Sequence, residues 1–230
     1  MKLLALDTAT EACSAAVLAG ERLVSRYLET DRGHAEQILG LIDATLAESG
    51  LRLRDLDGIA FGRGPGAFTG VRLAASIAQG LAFGAGLRVV PVSDLRAVAQ
   101  RLLDADPEIQ STLVCNDARM HEVYWACFRR GAEGIAEPST EERVASPGAV
   151  RLPQAIAAPT AGAGRGFRAY PELGLRLGNS LARVEPEWLP RAVEVARLAG
   201  VELAAGRTVA AEEAVPVYLR NEVARAPSHD

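Results

Sequence analysis

Lysine is all but absent: of the 25 lysine and arginine residues in this 230-residue chain, only Lys2 is a lysine. With 29 acidic residues the formal net charge is −4, so there is no general electrostatic attraction of the kind a stand-alone nucleic-acid binder uses. Aromatic residues make up 5%, too few for a base-stacking surface, and any RNA is expected to be reached through a partner. Cysteine is scarce as well. Cys13, Cys115 and Cys127 are far apart and form no Cys-x-x-Cys pair, which excludes a disulfide framework or cysteine-rich zinc site and reads as small buried hydrophobes in a reducing compartment. The apolar run Leu3–Leu6 stops at Asp7, too short for a signal peptide, and no run nears the roughly 18 residues of a membrane span. A soluble, cytoplasmic protein without membrane contact is expected.

What is abundant is alanine, 42 residues, in a chain that is 49% apolar. Alanine favours helices and close packing, and the length allows one large or two small domains. Lys2–Asp7, Cys13–Leu18 and Leu23–Leu28 read as three antiparallel strands. The period then changes: Ala35, Ile38, Leu39, Ile42 and Leu46 recur at helical spacing over His34–Glu48, with Asp31 or Gly33 as the cap and Gly50 as the stop. A strand at Leu56–Phe61, a glycine-rich loop at Gly62–Gly70, a helix at Val71–Phe83 and a strand at Leu87–Val92 follow. This βββαβαβ order makes a mixed five-stranded sheet, an α/β half-unit of the actin-like and ribonuclease-H-like folds (the ASKHA class). Thr112–Cys115 and Glu122–Arg129 suggest a hairpin around Asn116–Arg119, where Asp117 and Arg119 could pair to fix the turn. Gly131–Pro153 reads as loop, Arg191–Ala205 as a late helix and Val215–Leu219 as a short strand. The expectation is two lobes, residues 1–105 completed by part of the C-terminal segment, and a reduced second lobe over 106–230.

Two segments invite a chemical reading. Asp7-Thr8-Ala9-Thr10 sits at the turn after the first strand, where actin-like phosphotransferases hold phosphate and metal, yet it lacks a glycine for close backbone approach. The same residues are ordinary turn formers. Gly62–Arg72 carries four glycines and a proline at a strand-to-helix junction, with Thr69 placed to cap the helix; it is neither a Walker loop nor a dinucleotide fingerprint. Flanked by Arg63 and Arg72 it could hold an anion, or it could be a structural turn. Gly162, Gly164 and Gly166 form a weaker glycine series, and His34 with Glu36 fits a helix start better than a catalytic pair. The histidines His34, His121 and His229 are scattered.

The helix Val71–Phe83 has surplus apolar surface. Leu73, Ala74, Ala75, Ile77, Ala78, Leu81 and Ala82 cover roughly 200° of arc at 100° per residue, while one sheet face can bury about half of such a helix. Leu41, Ala44 and Thr45 widen the stripe on the first helix. Two such helices predict a helical contact with a second protein.

Five ordered motifs, Leu4–Thr10, Gly33–Leu39, Gly64–Arg72, Asn116–Tyr124 and Pro216–Arg220, together resemble the TsaB (YeaZ) family from end to end. The resemblance implies a non-catalytic dimerisation subunit of the bacterial machinery that installs threonylcarbamoyladenosine beside the tRNA anticodon. It implies as partners a TsaD-like transferase, a TsaE-like ATPase and, in isolation, a homodimer, with tRNA met only through the complex. The interface it implies is His34, Ile38, Leu41, Thr45, Ala74, Ile77, Ala78 and Leu81. It implies no cofactor on the isolated subunit, ATP and magnesium being used by the complex, where Asp7, Thr8, Thr10, Arg63 and Gly64 are candidate phosphate or nucleotide contacts. TsaD-like chains carry two metal-binding histidines after the strand equivalent to Leu87–Val92; here Asp94 and Val98 occupy that stretch, so neither a catalytic residue nor a metal site is expected. The competing readings are a nucleotide-dependent phosphotransferase or ATPase and, more remotely, a peptidase.

Overall fold

The protein is described by a computed structural model over residues 1–220; His229 lies outside the described residues. The first sheet is built from β1 (Lys2–Asp7), β2 (Ala12–Ala19), β3 (Arg22–Glu29), β4 (Gly58–Gly62) and β5 (Arg88–Val92), in the order β3-β2-β1-β4-β5. The first three strands pair antiparallel, whereas β4 and β5 add parallel strands through the crossover helices α1 (His34–Ser49) and α2 (Phe68–Ala85). β1 reads as an uninterrupted apolar run because both its faces are covered. Leu4 and Leu6 point into a core shared with α1 and α2, while Leu3 and Ala5 point into a second core on the opposite face.

That second core joins the lobes. α3 (Asp94–Ala105) and α6 (Ala192–Ala204) lie between the first sheet and a second one, formed by β6 (Ser111–Asp117), β7 (Val123–Arg130), β8 (Ala136–Pro138), β10 (Thr160–Ala163) and β11 (Val184–Glu185), with β9 (Arg143–Ala145) also on β7. α4 (Gly166–Ala169) and α5 (Pro171–Leu177) cover the far face of the second sheet. Much of the alanine is spent between the sheets: Ala5, Ala16, Ala60, Ala97, Ala99, Ala126, Ala161, Ala163, Ala192, Ala196 and Ala199 are all fully buried there. Small side chains let two helices and two sheets approach closely.

Several expectations need correction. α3 and β10 had not been foreseen, and the segment expected to be loop carries β8 and β9. The strand expected at Val215–Leu219 is irregular backbone, anchored to the first lobe where Val217 N–H donates to the Arg63 carbonyl, 2.7 Å. α2 begins at Phe68 with Ala67 at its N-cap, so Thr69 lies inside the first turn and caps nothing. Gly33 and Gly50 do bracket α1, both left-handed, as the sequence requires.

Candidate functional site: the interlobe cleft

The carboxyl ends of β1 and β4 and the start of α3 meet below the cleft, and their chemistry is centred on two aspartates. Asp7 and Asp94 are both fully buried. Asp7 Oδ1 accepts the Ala9 N–H at 2.9 Å, and Asp94 Oδ2 accepts the Gly64 N–H. The remaining oxygens, Asp7 Oδ2 and Asp94 Oδ1, are turned towards Gly62, where a Cβ would stand 2.4 and 2.5 Å from them, so only glycine fits. The two carboxyl groups thus come together beside Gly62. Burial drives the Asp94 carboxyl well above the usual carboxylate range, and the charge of Asp7 pushes it further. Burial also raises Asp7, opposed by the adjoining Asp94 carboxyl and by the Ala9 N–H. Burial thus favours the protonated form at both carboxyls, Asp94 the more strongly. The histidine-free stretch after β5 thus supplies a structural acid, while Val98, one turn on, is buried in the core.

Above this pair the glycine-rich loop folds down on the β1–β2 turn. Ala67 N–H donates to the Ala9 carbonyl at 2.7 Å, and Thr8 Oγ1 donates to the Gly70 carbonyl at 2.7 Å. A Cβ on Gly66 would lie 2.3 Å from the Ala9 carbonyl oxygen, and one on Gly70 only 2.0 Å from that of Thr8. The glycines therefore allow backbone to meet backbone. Gly164 and Gly166 do the same in the second lobe, each placing its Cα against the Cys115 carbonyl.

The cleft itself has a volume of about 1060 Å³. Thr8, Thr10 and His34 line its first-lobe side, with His34 Nε2 donating to the Thr10 carbonyl at 2.9 Å. Asn116, Asp117, Tyr124 and Arg165 line the opposite side. Across the mouth, Glu11 of the first lobe pairs with Arg119 at 3.1 Å and Arg165 at 3.4 Å, and Glu29 also pairs with Arg165. Arg119 completes the expected local pair with Asp117 at 3.0 Å. Arg220 ties the end of the described chain to the Ala118 carbonyl and Glu122.

Of the five candidate phosphate contacts, the structure puts Thr8 and Thr10 on the cleft. Asp7 and Gly64 are buried beneath it, engaged within the protein, and Arg63 turns away to pair with Glu142 at 3.3 Å in a separate groove. The candidate interface divides similarly. Ile38, Thr45, Ala74 and Ala78 are fully buried against the first sheet, so they cannot meet a partner; the helix arcs were counted correctly but their inner side was assigned outward. His34, Leu41, Ile77 and Leu81 are half-buried and remain available. Asp94 was missed as a site residue, since its partner Asp7 is distant in sequence and only the buried acid between strand and helix hinted at it. Among the described residues no three His, Cys, Asp or Glu side chains converge as metal ligands.

With this geometry in view, the comparisons with known proteins are direct. The chain is 41% identical to the "tRNA threonylcarbamoyladenosine biosynthesis protein TsaB" of Escherichia coli, over 97% of this chain and 96% of that protein. The chain belongs to the TsaB family. The TsaB of Haemophilus influenzae is likewise 41% identical, over 97% of this chain and 95% of its own length. A solved structure described as "YeaZ from Pseudomonas aeruginosa" superposes with a TM-score of 0.87 at 42% identity, covering 95% of this chain and 99% of that one. The model of the family described as "TsaD: tRNA N6-adenosine threonylcarbamoyltransferase" matches residues 28–224. The two-lobed ASKHA architecture is thus that of TsaB-family chains. No helix among the described residues is long and apolar enough to cross a membrane.

Proposed function

We propose that this chain serves in the biosynthesis of threonylcarbamoyladenosine on tRNA, as a cytoplasmic, non-catalytic subunit that docks a TsaD-like transferase through α1 and α2. The near-complete coverage at 41% identity to TsaB proteins carries the pathway assignment. The supporting role rests on the site: the loops that would take a phosphate are hydrogen-bonded to each other, which favours nucleotide and magnesium use by the assembled complex with a TsaE-like ATPase. The contact face proposed is the outer side of the two helices. There Leu41, Leu73, Ile77 and Leu81 are only half-buried, Leu39 and Phe83 are exposed, and Gly80 and Gly84 have open space where a Cβ would be. Apolar side chains beside bare glycine backbone suit close helix-to-helix contact. In isolation the same face would pair with a second copy. The chain's arginines are largely engaged in internal ion pairs, so tRNA would be met through the transferase.

The test is reconstitution of tRNA modification with transferase and ATPase, each component omitted in turn. Loss of product on omitting this chain, together with no product from this chain alone, is the expected result; full product without it overturns the assignment. For the docking face, Leu41→Glu with Ile77→Asp should abolish both association and product while circular dichroism stays unchanged. Persistent complex on size exclusion would move the contact elsewhere.

A further inference from the structure

Both crossover helices pack on one face of the first sheet, and each carries exposed charge of a single sign. α1 holds Glu36, Asp43 and Glu48 and neither lysine nor arginine; its one histidine, His34, is turned to the Thr10 carbonyl. α2 holds Arg72 and no acid. Glu48 is held by Arg26, but among the described residues Glu36 and Asp43 enter no ion pair or side-chain hydrogen bond. Glu36, Gly40, Asp43 and Ala47 make one exposed line along α1, and Phe68, Arg72, Ser76, Gly80 and Phe83 make another along α2, at the three- and four-residue spacing of one helix face. Gly40 and Gly80 have open space where a Cβ would be, so a further helix can approach either line closely.

Arg72 is also held ready for a partner. Its guanidinium lies 3.6 Å from the centre of the Phe68 ring and 5.6 Å from that of Tyr218, and its Nε donates to the Tyr218 hydroxyl at 2.7 Å. Its terminal nitrogens Nη1 and Nη2 have no partner among the described residues, and that edge of the fork matches a carboxylate. A fork fixed against two rings loses little freedom on pairing. We infer that a second copy of this chain docks on this face in a two-fold arrangement that sets α2 of each copy against α1 of the other, each Arg72 receiving the Glu36 or Asp43 carboxylate of the facing α1. Setting α1 against α1 would instead bring like charges together. The two-fold axis forms every such pair twice, so one arginine per chain acts at both ends of the contact. The inference rests on the docking face proposed above and adds to it which helices pair and which residues select that pairing.

The test is a charge exchange read by sedimentation velocity. Arg72→Glu in one chain, and Glu36→Arg with Asp43→Arg in another, should each weaken self-association by about tenfold or more. An equal mixture of the two should associate about as tightly as the unmodified chain, because only mixed pairs then bring opposite charges together. The unmodified dimer should also dissociate several-fold more readily at about 1 M than at about 50 mM sodium chloride. A mixture no tighter than its components, with circular dichroism unchanged in both, overturns the inference, and so does a chain that stays monomeric at millimolar concentration. Should either variant misfold, the salt reading decides on the unmodified chain: affinity that salt leaves unchanged or strengthens belongs to an apolar contact and overturns the charge pairing. A dimer that survives Leu41→Glu with Ile77→Asp removes the docking face as well, whereas one abolished by those changes yet indifferent to charge exchange removes the pairing alone.

Discussion

The two walls of the cleft are built from the same kind of parts and end in opposite states. Each has a glycine-rich turn at the carboxyl end of a parallel strand. On the first-lobe wall Thr8 Oγ1, the N–H groups of Ala9, Gly64 and Ala67 and the carbonyls of Ala9, Gly64 and Gly70 find partners within the protein. On the second-lobe wall the glycines pack just as closely on the Cys115 carbonyl, yet the adjoining Asn116 amide is left unpaired. A glycine-rich loop is therefore not in itself a phosphate loop. What decides is where the missing Cβ would point: here Gly62, Gly66 and Gly70 point at aspartate oxygens and neighbouring carbonyls.

The sharpest break of this contrast is Gly70→Ala, whose methyl would stand 2.0 Å from a backbone oxygen. It should destabilise the chain by about 3 kcal/mol or more in urea unfolding, whereas Gly80→Ala, in open space on the same helix, should be neutral or stabilising by up to about 1 kcal/mol. Equal stability of the two variants would refute the closed loop.

Removal of the acid comes next. Asp94→Ala should cost about 2 kcal/mol by stranding the Gly64 N–H and the Asp7 carboxylate. Asp94→Asn, which can still donate to Asp7, should cost much less. The pair also sets a pH dependence. Both folded-state pKa values lie above the unfolded aspartate value, so the native state binds more protons, and this contribution to stability is lost as pH rises above the ordinary aspartate range. Unfolding midpoints of Asp94→Asn should therefore decline less from pH 5 to pH 8 than those of the parent. Parallel profiles would mean that the folded pair takes up no extra proton.

On the second-lobe wall the sign reverses. Asn116→Leu should raise stability by about 1 kcal/mol, since it removes unpaired polar atoms while keeping the volume. A loss of similar size in thermal unfolding would mean that the amide is already satisfied. The smallest effect belongs to the cleft mouth. Arg165→Ala, which breaks pairs with Glu11 and Glu29, should cost about 0.5 kcal/mol at low salt and less at 1 M. A cost that salt does not change would assign Arg165 a packing role.

The first lobe was legible because its signals are strong: continuous apolar strands, a change of period at His34 and glycine stops on its first helix. The second lobe was not, because β8 and β9 are three residues each and β10 is Thr-Ala-Gly-Ala, without a run of β-branched or aromatic side chains. α3 escaped because it follows β5 with only Ser93 between them, the residue that caps it by accepting the Arg96 N–H at 3.1 Å. On the candidate interface, helical periodicity identifies a face as apolar but cannot say which half the sheet takes. Ala74 and Ala78 went inward, and Leu41, Ile77 and Leu81 stayed at the margin. The Asp7–Asp94 contact joins residues that no local pattern links.

The position of α6 has a consequence for biogenesis. The helix is the last in the described chain, yet it packs on β1, β2, β4 and β5, and Val209 just after it bonds to the edge of β5. A nascent chain can assemble β1 to β5 with α1 and α2 early, but Leu3, Ala5, Ala16 and Val90 then face solvent until Ala192–Ala204 has left the ribosome. Translation thus passes through the whole second sheet with one face of the first sheet bare, so a chain broken off before α6 would present chaperones and proteases with an apolar surface that the folded molecule never shows.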